Sequence, residues 1–501
     1  MIRILLLALL PAVVLAQSAA GIDRDLPEFS FNEHELAGQM HFLASDFLAG
    51  RRTGAVGNTI AAEYIAAQLR GYGYAPINAA DSSYFQEVPL RRLRAPLSTR
   101  VQLGEAEYTG DDNLLIVRGP EADVASQVVF ANFGWTEGDY DDYADLDVKG
   151  KIVVTRAGLP EDQGQGAIFR GIQEKAEMAA AAGAVALFEI YSLPFPWKSF
   201  RNYLGGERIS MSEGGPSPIP YGFIRFEDDA IQAVQSGGGK LAGNVATTGM
   251  RIDDLASRNV GGILRGSDPQ VSDEYMLITA HFDHVGVGEQ GGGYFSESDS
   301  IFNGARDNAF GTISLLAAAR AFADHPPRRS VIVLAVTGEE MGLLGSKYYA
   351  EHPLVPLEQT VFNFNTDGAG YNDTTAISLI GADRTGIDEQ VAAAAAAFGK
   401  RVISNPAPEQ GLFDRSDNVS FAVKGVPALS FTPGFSDFND DIFKYYHQVT
   451  DNPETINMAY LKEYCQIFTL AARLIADRET VPFWMEGDKY EAAGESLYGK
   501  R

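Results

Sequence analysis

Cysteine is nearly absent: Cys465 is the one thiol in 501 residues, so no intrachain disulfide can form. It falls on the apolar stripe Met458, Leu461, Cys465, Phe468, Ile475, whose spacing predicts a helix over about 455–476, and it reads as a core residue. Basic residues are also scarce, 40 Lys and Arg against 66 Asp and Glu, a formal charge of −26. That excludes a nucleic-acid partner, because such binding rests on cations neutralising phosphates. The acidic excess is read as solubility. Histidine is rare at seven residues, so a site using two of them draws on a small pool. Long hydrophobic runs are missing except ILLLALLPAVVLA, preceded by Met-Ile-Arg and followed by the small residues Ala16, Ser18, Ala19 and Ala20. This pattern predicts a secretory signal peptide over 1–20, and so a secreted or periplasmic protein without a membrane span, with a short N-terminal anchor as the alternative. No cysteine lies near the small residues, which argues against lipid anchoring.

The length and an apolar content of 45% predict two domains. Helical spacing marks 34–48 and 61–69, separated by the glycine-punctuated loop Gly50-Arg-Arg-Thr-Gly54-Ala-Val-Gly57, read as a turn. From 259 onward strands and helices alternate: YMLITA, a helix over 308–323, VIVLAVT, VFNFNTD, a helix over 387–398, GVPALSF. Such alternation predicts an α/β fold, a mostly parallel sheet with helices on both faces. Residues 96–250 read as an inserted, mainly β domain, leaving 21–95 and 251–480 as one domain. Within the insertion, LPFPWKSFRNYLGG (193–206) is a lid or an ordinary packed loop, the second being the commoner outcome. The charged, glycine-containing stretch 481–501 is expected to be partly ordered at best.

The chemistry clusters where strands end. YMLITA runs into His281-Phe-Asp283-His284, VIVLAVTG into Glu339-Glu340, and VFNFNT into Asp367; Asp307 opens a helix and His447 sits in YYHQVTD. Open α/β sheets build sites beyond the carboxyl ends of their strands. Imidazole and oxygen donors without thiolate suit Zn²⁺. Five ligands exceed one open site but suit two ions sharing a bridging carboxylate, with Asp307 the best-placed bridge; alone it would read as a helix N-cap. Adjacent side chains on extended chain point apart, so one of Glu339 and Glu340 is expected to bind metal and the other to act as general base.

The strings AHFDHVG, NGARDNAFG, TGEEMGLLGS, FNTDGAG, RSDNVSF with GVPALSF, and YYHQVTD occur in this order. Together they resemble the zinc-dependent exopeptidase family of aminopeptidase Y, glutamate carboxypeptidase II and the secretory glutaminyl cyclases. The strings DVKGKIVVTRAG, AEMAAAAGAVALFEI and PIPYGFI resemble the protease-associated domain inserted in such enzymes. The resemblance implies two Zn²⁺ ions held by His281, Asp307, Glu340, Asp367 and His447, with Asp307 bridging. It implies Glu339 as base and Asp283 as acceptor of the second imidazole N–H of His281. An exported aminopeptidase acting on peptides would follow, with a bridging hydroxide attacking the scissile carbonyl. The alternatives are a carboxypeptidase, favoured if Arg306 or Arg415 lines the pocket, and an inactive binding ectodomain. Oligomeric state and side-chain preference are not legible.

His284 matches a position that need not bind metal and reads as a hydrogen-bonding or packing histidine. His34, His41, His325 and His352 read as structural or surface residues. Arg306 and Phe310 depart from the family's commoner pattern and are expected to reshape the pocket. Arg306 would anchor a substrate carboxylate or, more simply, pair with a nearby acid. Gly286-Val-Gly288-Glu-Gln-Gly291 matches a dinucleotide fingerprint, but GGYFSESDS after it is no helix, so it reads as a loop. Ser416-Asp417 lacks a third orienting residue and is no nucleophile pair.

Overall fold

The computed structural model describes residues 30–499 except 111, 162–164, 193–195, 213–216, 227 and 238; the signal-peptide reading lies outside the described residues. Two compact units emerge, Met1–Val88 with Ala256–Arg501, and Pro89–Leu255.

In the first unit four parallel strands form the centre of the sheet: β1 (Tyr275–His281), β2 (Ser330–Val336), β3 (Thr360–Thr366) and β4 (Ala428–Pro433). They run in the order β2-β1-β3-β4, with Tyr275 opposite Ser330 and His281 opposite Val336. Antiparallel strands flank them, residues 260–264 against β2 and Ala376–Ile380 against β4, so the sheet is mixed with a parallel centre. These strands are buried on both faces because helices cover both. Met276, Ile278 and Ala280 pack with Val331, Val333 and Phe362 on one face, while Leu277, Ile332 and Leu334 turn to the other with Tyr349 and Phe421. A slip of one residue would exchange the faces, at about 1.5–3 kcal/mol for each large aliphatic side chain left exposed. The register is therefore fixed, and with it the line of residues at the strands' carboxyl ends.

The first face carries the helices α1 (Glu33–Leu43), α2 (Val56–Gly71), α3 (Phe310–Asp324) and α4 (Met458–Ala476). Small residues in LLAAARAFA let α3 lie between β1 and α4, and Thr312 donates to the His281 carbonyl at 2.8 Å. Cys465 is a core residue, fully buried beside Ser314 Oγ at 3.5 Å. Phe310 does not shape a pocket: it is 1% exposed, its ring 5.0 Å from Tyr464 and 6.0 Å from Tyr371, because one more helical turn carries it into the aromatic core. The stretch after Pro482 is better ordered than its composition suggests. Trp484 is buried and donates to the Gly425 carbonyl at 3.0 Å, and a helix spans Glu491–Tyr498; aromatic anchors outweigh the surrounding charge.

The second unit is an eight-stranded mixed sheet in the order 106–109, 99–103, 241–247, 122–130, 152–156, 186–190, 221–224, 114–118. Alternate residues serve opposite faces, Val129, Val153 and Leu187 on one, Val128, Ile152 and Phe188 on the other. Within LPFPWKSFRNYLGG, Trp197–Gly205 is a helix whose Trp197, Phe200 and Leu204 enter this unit's core, the packed outcome rather than a loop. Lys175 and Glu189 form a buried ion pair at 2.8 Å; Lys175 also donates to the Arg156 carbonyl and Tyr221 to Glu189.

Candidate metal centre

Because β1, β2 and β3 are parallel and in register, their carboxyl ends meet at one edge. His281 is the last residue of β1 and Asp367 follows β3. Glu339 and Glu340 come three and four residues after Val336; they lie in a turn opened by Gly338 (φ 73°) and not on extended chain, so the turn, not strand alternation, separates them. Asp307 lies in an irregular turn, Ala305–Ala309, with non-helical angles at Asp307 and Asn308, ahead of α3 rather than as its cap.

Two groups of donors result. His281, Asp307 and Asp367 form one; His284, Asp307, Glu340 and His447 form the other, and in each group the donor atoms lie within 4.8 Å of one another. All five predicted ligands are thus brought together, Asp307 belongs to both groups, and His284 joins them. His281 Nε2 is 3.2 Å from Asp367 Oδ1 and 3.3 Å from Asp307 Oδ1. His447 Nε2 is 3.2 Å from Asp307 Oδ2 and 3.0 Å from Glu340 Oε2.

His281 Nδ1 donates to the backbone carbonyl of Asp283 at 3.2 Å, while the Asp283 carboxylate is 3.8 Å away. The expected carboxylate–imidazole bond is therefore corrected to a carbonyl–imidazole bond. The carboxylate is taken up elsewhere, accepting from the Glu339 amide at 3.1 Å and the Thr53 hydroxyl at 2.9 Å. It acts on the turn that carries Glu339.

With its Nδ1 proton committed, the second nitrogen of His281 faces two carboxylates. Either a proton or a cation must lie among them, and imidazole with carboxylate is a donor set that fits divalent ions. In the bare groups a proton takes that place. Burial opposes a charge on His281, yet Asp367 and Glu339 raise its pKa well above the ordinary imidazole value. Burial likewise opposes a charge on His447, and Glu340 and Asp307 still raise it to about 10. Burial and Asp307 push Glu340 up, but His447 and His284 bring it down to about 2. Glu339 is in neither donor group; burial, opposed by His281 and reinforced by Asp367 and Glu340, raises it well above the carboxylate range.

Residues not assigned a role from sequence hold the centre in place. Arg51, in the loop read as a turn, is fully buried and donates to the carbonyls of Phe282 (2.8 Å), Asn303 (2.7 Å), Gly304 (2.9 Å) and Leu43, tying β1's end to the Asp307 turn. Asp451, the last residue of YYHQVTD, accepts from the amides of Arg306 (2.9 Å) and Asp307 (3.3 Å). The guanidinium of Arg306 donates to Thr455, lies 3.8 Å from Asp451 and stacks on Tyr445 at 3.7 Å, so it is paired with an acid and not offered to a substrate. Ser416 donates to Asp367 at 2.5 Å, which makes it a support for a member of the donor group. The sequence signal for these was an Arg, Thr or Asp inside a quoted string, without a partner in view.

The glycine-rich stretch forms a small hairpin, Gly286–Val287 with Ile301–Phe302, whose loop opens with a single 3₁₀ turn, Gly288–Gly291, and not with an α-helix. A Cβ on Gly293 would stand 2.3 Å from the His447 carbonyl, so the loop's lack of side chain lets it support the His447 turn. His34, His41, His325 and His352 are exposed, remote from the donor groups. The centre opens onto a cavity lined by Glu339, Asp367, Phe435, Ile442 and Tyr446, with Arg415 at its margin.

A parallel-centred sheet with two carboxylate–imidazole groups sharing one aspartate at its carboxyl edge defines the class as an α/β fold with a site suited to metal ions. Residues 259–472 match the profile of peptidase family M28. Over 340 residues the chain is 26% identical to aminopeptidase YwaD of Bacillus subtilis, covering 67% of this chain and 65% of that protein. Over 120 residues it is 33% identical to the vacuolar membrane protease of Saccharomyces cerevisiae, 24% of this chain and 11% of that one. The solved aminopeptidase from Aneurinibacillus sp. strain AM-1 shares the fold, with a TM-score of 0.58, 22% identity, and coverage of 90% of this chain and 95% of that one. Among the described residues no helix is long and apolar enough to cross a membrane.

Proposed function

We propose that the protein is a dizinc aminopeptidase that removes N-terminal residues from peptides. The observation that carries this reading is the pair of donor groups joined through Asp307, with Glu339 free beside them in the same cavity. Among relatives, YwaD's name as an aminopeptidase supports the choice. His281, Asp307 and Asp367 would hold one ion and Asp307, Glu340 and His447 the other. The ions, when bound, would polarise the scissile carbonyl and acidify the attacking water.

The chain's own residues do the rest. Glu339 takes a proton from the attacking water as the C–O bond forms and then delivers it to the leaving amine, whose protonation lets the C–N bond break. Asp283 fixes the amide of Glu339 and Thr53 fixes Asp283. Ser416 and Asp451 hold Asp367 and the Asp307 turn in place while substrate exchanges. Phe435, Ile442 and Tyr446 give the cavity an apolar wall for a substrate side chain. Residues 96–250 are taken as the protease-associated module and residues 1–20 as an export signal, the first supported by a compact unit, Pro89–Leu255, that interrupts the other in sequence.

One observation favours a carboxypeptidase instead: Arg415 lines the cavity and could pair with a terminal carboxylate. Aminoacyl chromogenic substrates and N-blocked peptides, each with and without chelator, separate the readings. Chelator-sensitive turnover of the free-amine substrates alone is expected. Turnover of blocked peptides with a free C-terminus would transfer the assignment, and no turnover of either would leave a binding protein.

A further inference from the structure

His284 is wholly buried, and its surroundings leave it little freedom. Its amide meets the Arg51 carbonyl at 3.4 Å, and its ring lies flush on Gly304, where a Cβ would come within 2.6 Å of Cγ. Gly304 is itself held by Arg51 through its carbonyl. The ring thus has one pose, and in it Nδ1 is 2.7 Å from Glu340 Oε1. A carboxylate can only accept, so Nδ1 carries the proton and donates. The other oxygen of Glu340, Oε2, is the one 3.0 Å from His447 Nε2. The two oxygens are therefore divided: Oε1 faces His284, and Oε2 faces His447, whose Nε2 also meets the shared aspartate.

We infer that His284 is a positioning residue of the metal centre, whose Nδ1–H holds Glu340 so that Oε2 is turned toward the ion shared with Asp307 and His447. This rests on the dizinc reading above and adds to it a third imidazole that acts through Glu340 rather than as a ligand. Without the bond the carboxylate would rotate about its last torsion, and the ion would lose a preset donor. Partners of this kind typically set metal affinity by about 10–100-fold.

The test measures zinc content and affinity by competition with a chelating indicator in the wild type, H284A, H284N and H447A, with thermal melts of all four as a folding control. Asn places a side-chain N–H close to where Nδ1 stood. Two zinc ions in the wild type, one of them weakened by about 10–100-fold in H284A, with most of the affinity recovered in H284N, is the expected result. Wild-type affinity in H284A overturns the inference, as does a loss that H284N does not repair. A loss in H284A as deep as that in H447A also overturns it, by making His284 a ligand. A wild type that binds no zinc would instead remove the dizinc reading itself.

Discussion

Each unit buries a set of charges, and the two sets are built on opposite plans. In the second unit Lys175 faces Glu189 one to one, and a carbonyl and Tyr221 complete their hydrogen bonds. That set is neutral and closed. In the first unit Asp307, Glu340 and Asp367 converge on His281 and His447, with imidazole nitrogens and carboxylate oxygens at 3.0–3.3 Å, and Glu339 lines the same cavity. That set carries excess negative charge and opens to a cavity. A balanced buried pair needs nothing further, whereas an unbalanced group needs a cation, and this difference separates structure from site.

The sharpest way to break the comparison is through Glu339. Glu339→Gln should lower kcat on an aminoacyl anilide by about 10²–10⁴-fold while zinc content stays at the wild-type value, because the residue belongs to neither donor group. Unchanged kcat would return Glu339 to the status of a buried acid.

On the closed set the effect should appear in stability and not in metal binding. Lys175→Met leaves Glu189 uncompensated and should cost about 3–5 kcal/mol in denaturant unfolding, with zinc affinity unaltered; adding Glu189→Leu should recover most of the loss. If the single variant is neutral, the pair is not the balanced structural element described.

Asp417 sharpens the contrast, being fully buried with the Ser346 hydroxyl beside its carboxylate. Burial, opposed by His281, raises its pKa from 3.8 to about 7. The folded protein then keeps a proton that the unfolded chain releases near its ordinary pKa. The stability this contributes is fully present below about pH 4 and is lost as pH rises through about 7. Asp417→Asn should not share this slope, so its stability relative to wild type should climb between those pH values by a few kcal/mol and then level off. Melts across that range read the difference directly; parallel curves would contradict the raised pKa.

The smallest effect expected is silence at Cys465. Burial pushes its thiol up to about 12, so a thiol reagent should label the native protein no faster than it unfolds. Rapid labelling would mean that α4 opens locally.

Much of the centre was readable because each ligand stands in a short string beside the strand that delivers it. His281, Asp307, Glu340, Asp367 and His447 converge as the ordered motifs implied. The sequence marks His284 as hydrogen-bonded or packed, which its contact with Glu340 matches, while its place in the donor group comes only from the fold. Arg51, Thr53 and Asp451 were not given roles because each bonds to backbone or side chains at sequence separations of 144 to 253 residues, except where Arg51 reaches Leu43. Phe310 and the stretch after Pro482 were misjudged for the same reason: their surroundings come from distant aromatic residues.

Period and punctuation in the chain determined which segments become strands and helices and which donor types cap them, since side-chain alternation and turn residues are local properties. Which nitrogen of His281 keeps its proton, which oxygen of Glu340 looks at His447, and whether Arg306 meets an acid or a substrate were decided only by the folded arrangement. Those outcomes depend on distances of about 3 Å between residues far apart in the chain, over which hydrogen bonds and ion pairs are made or lost.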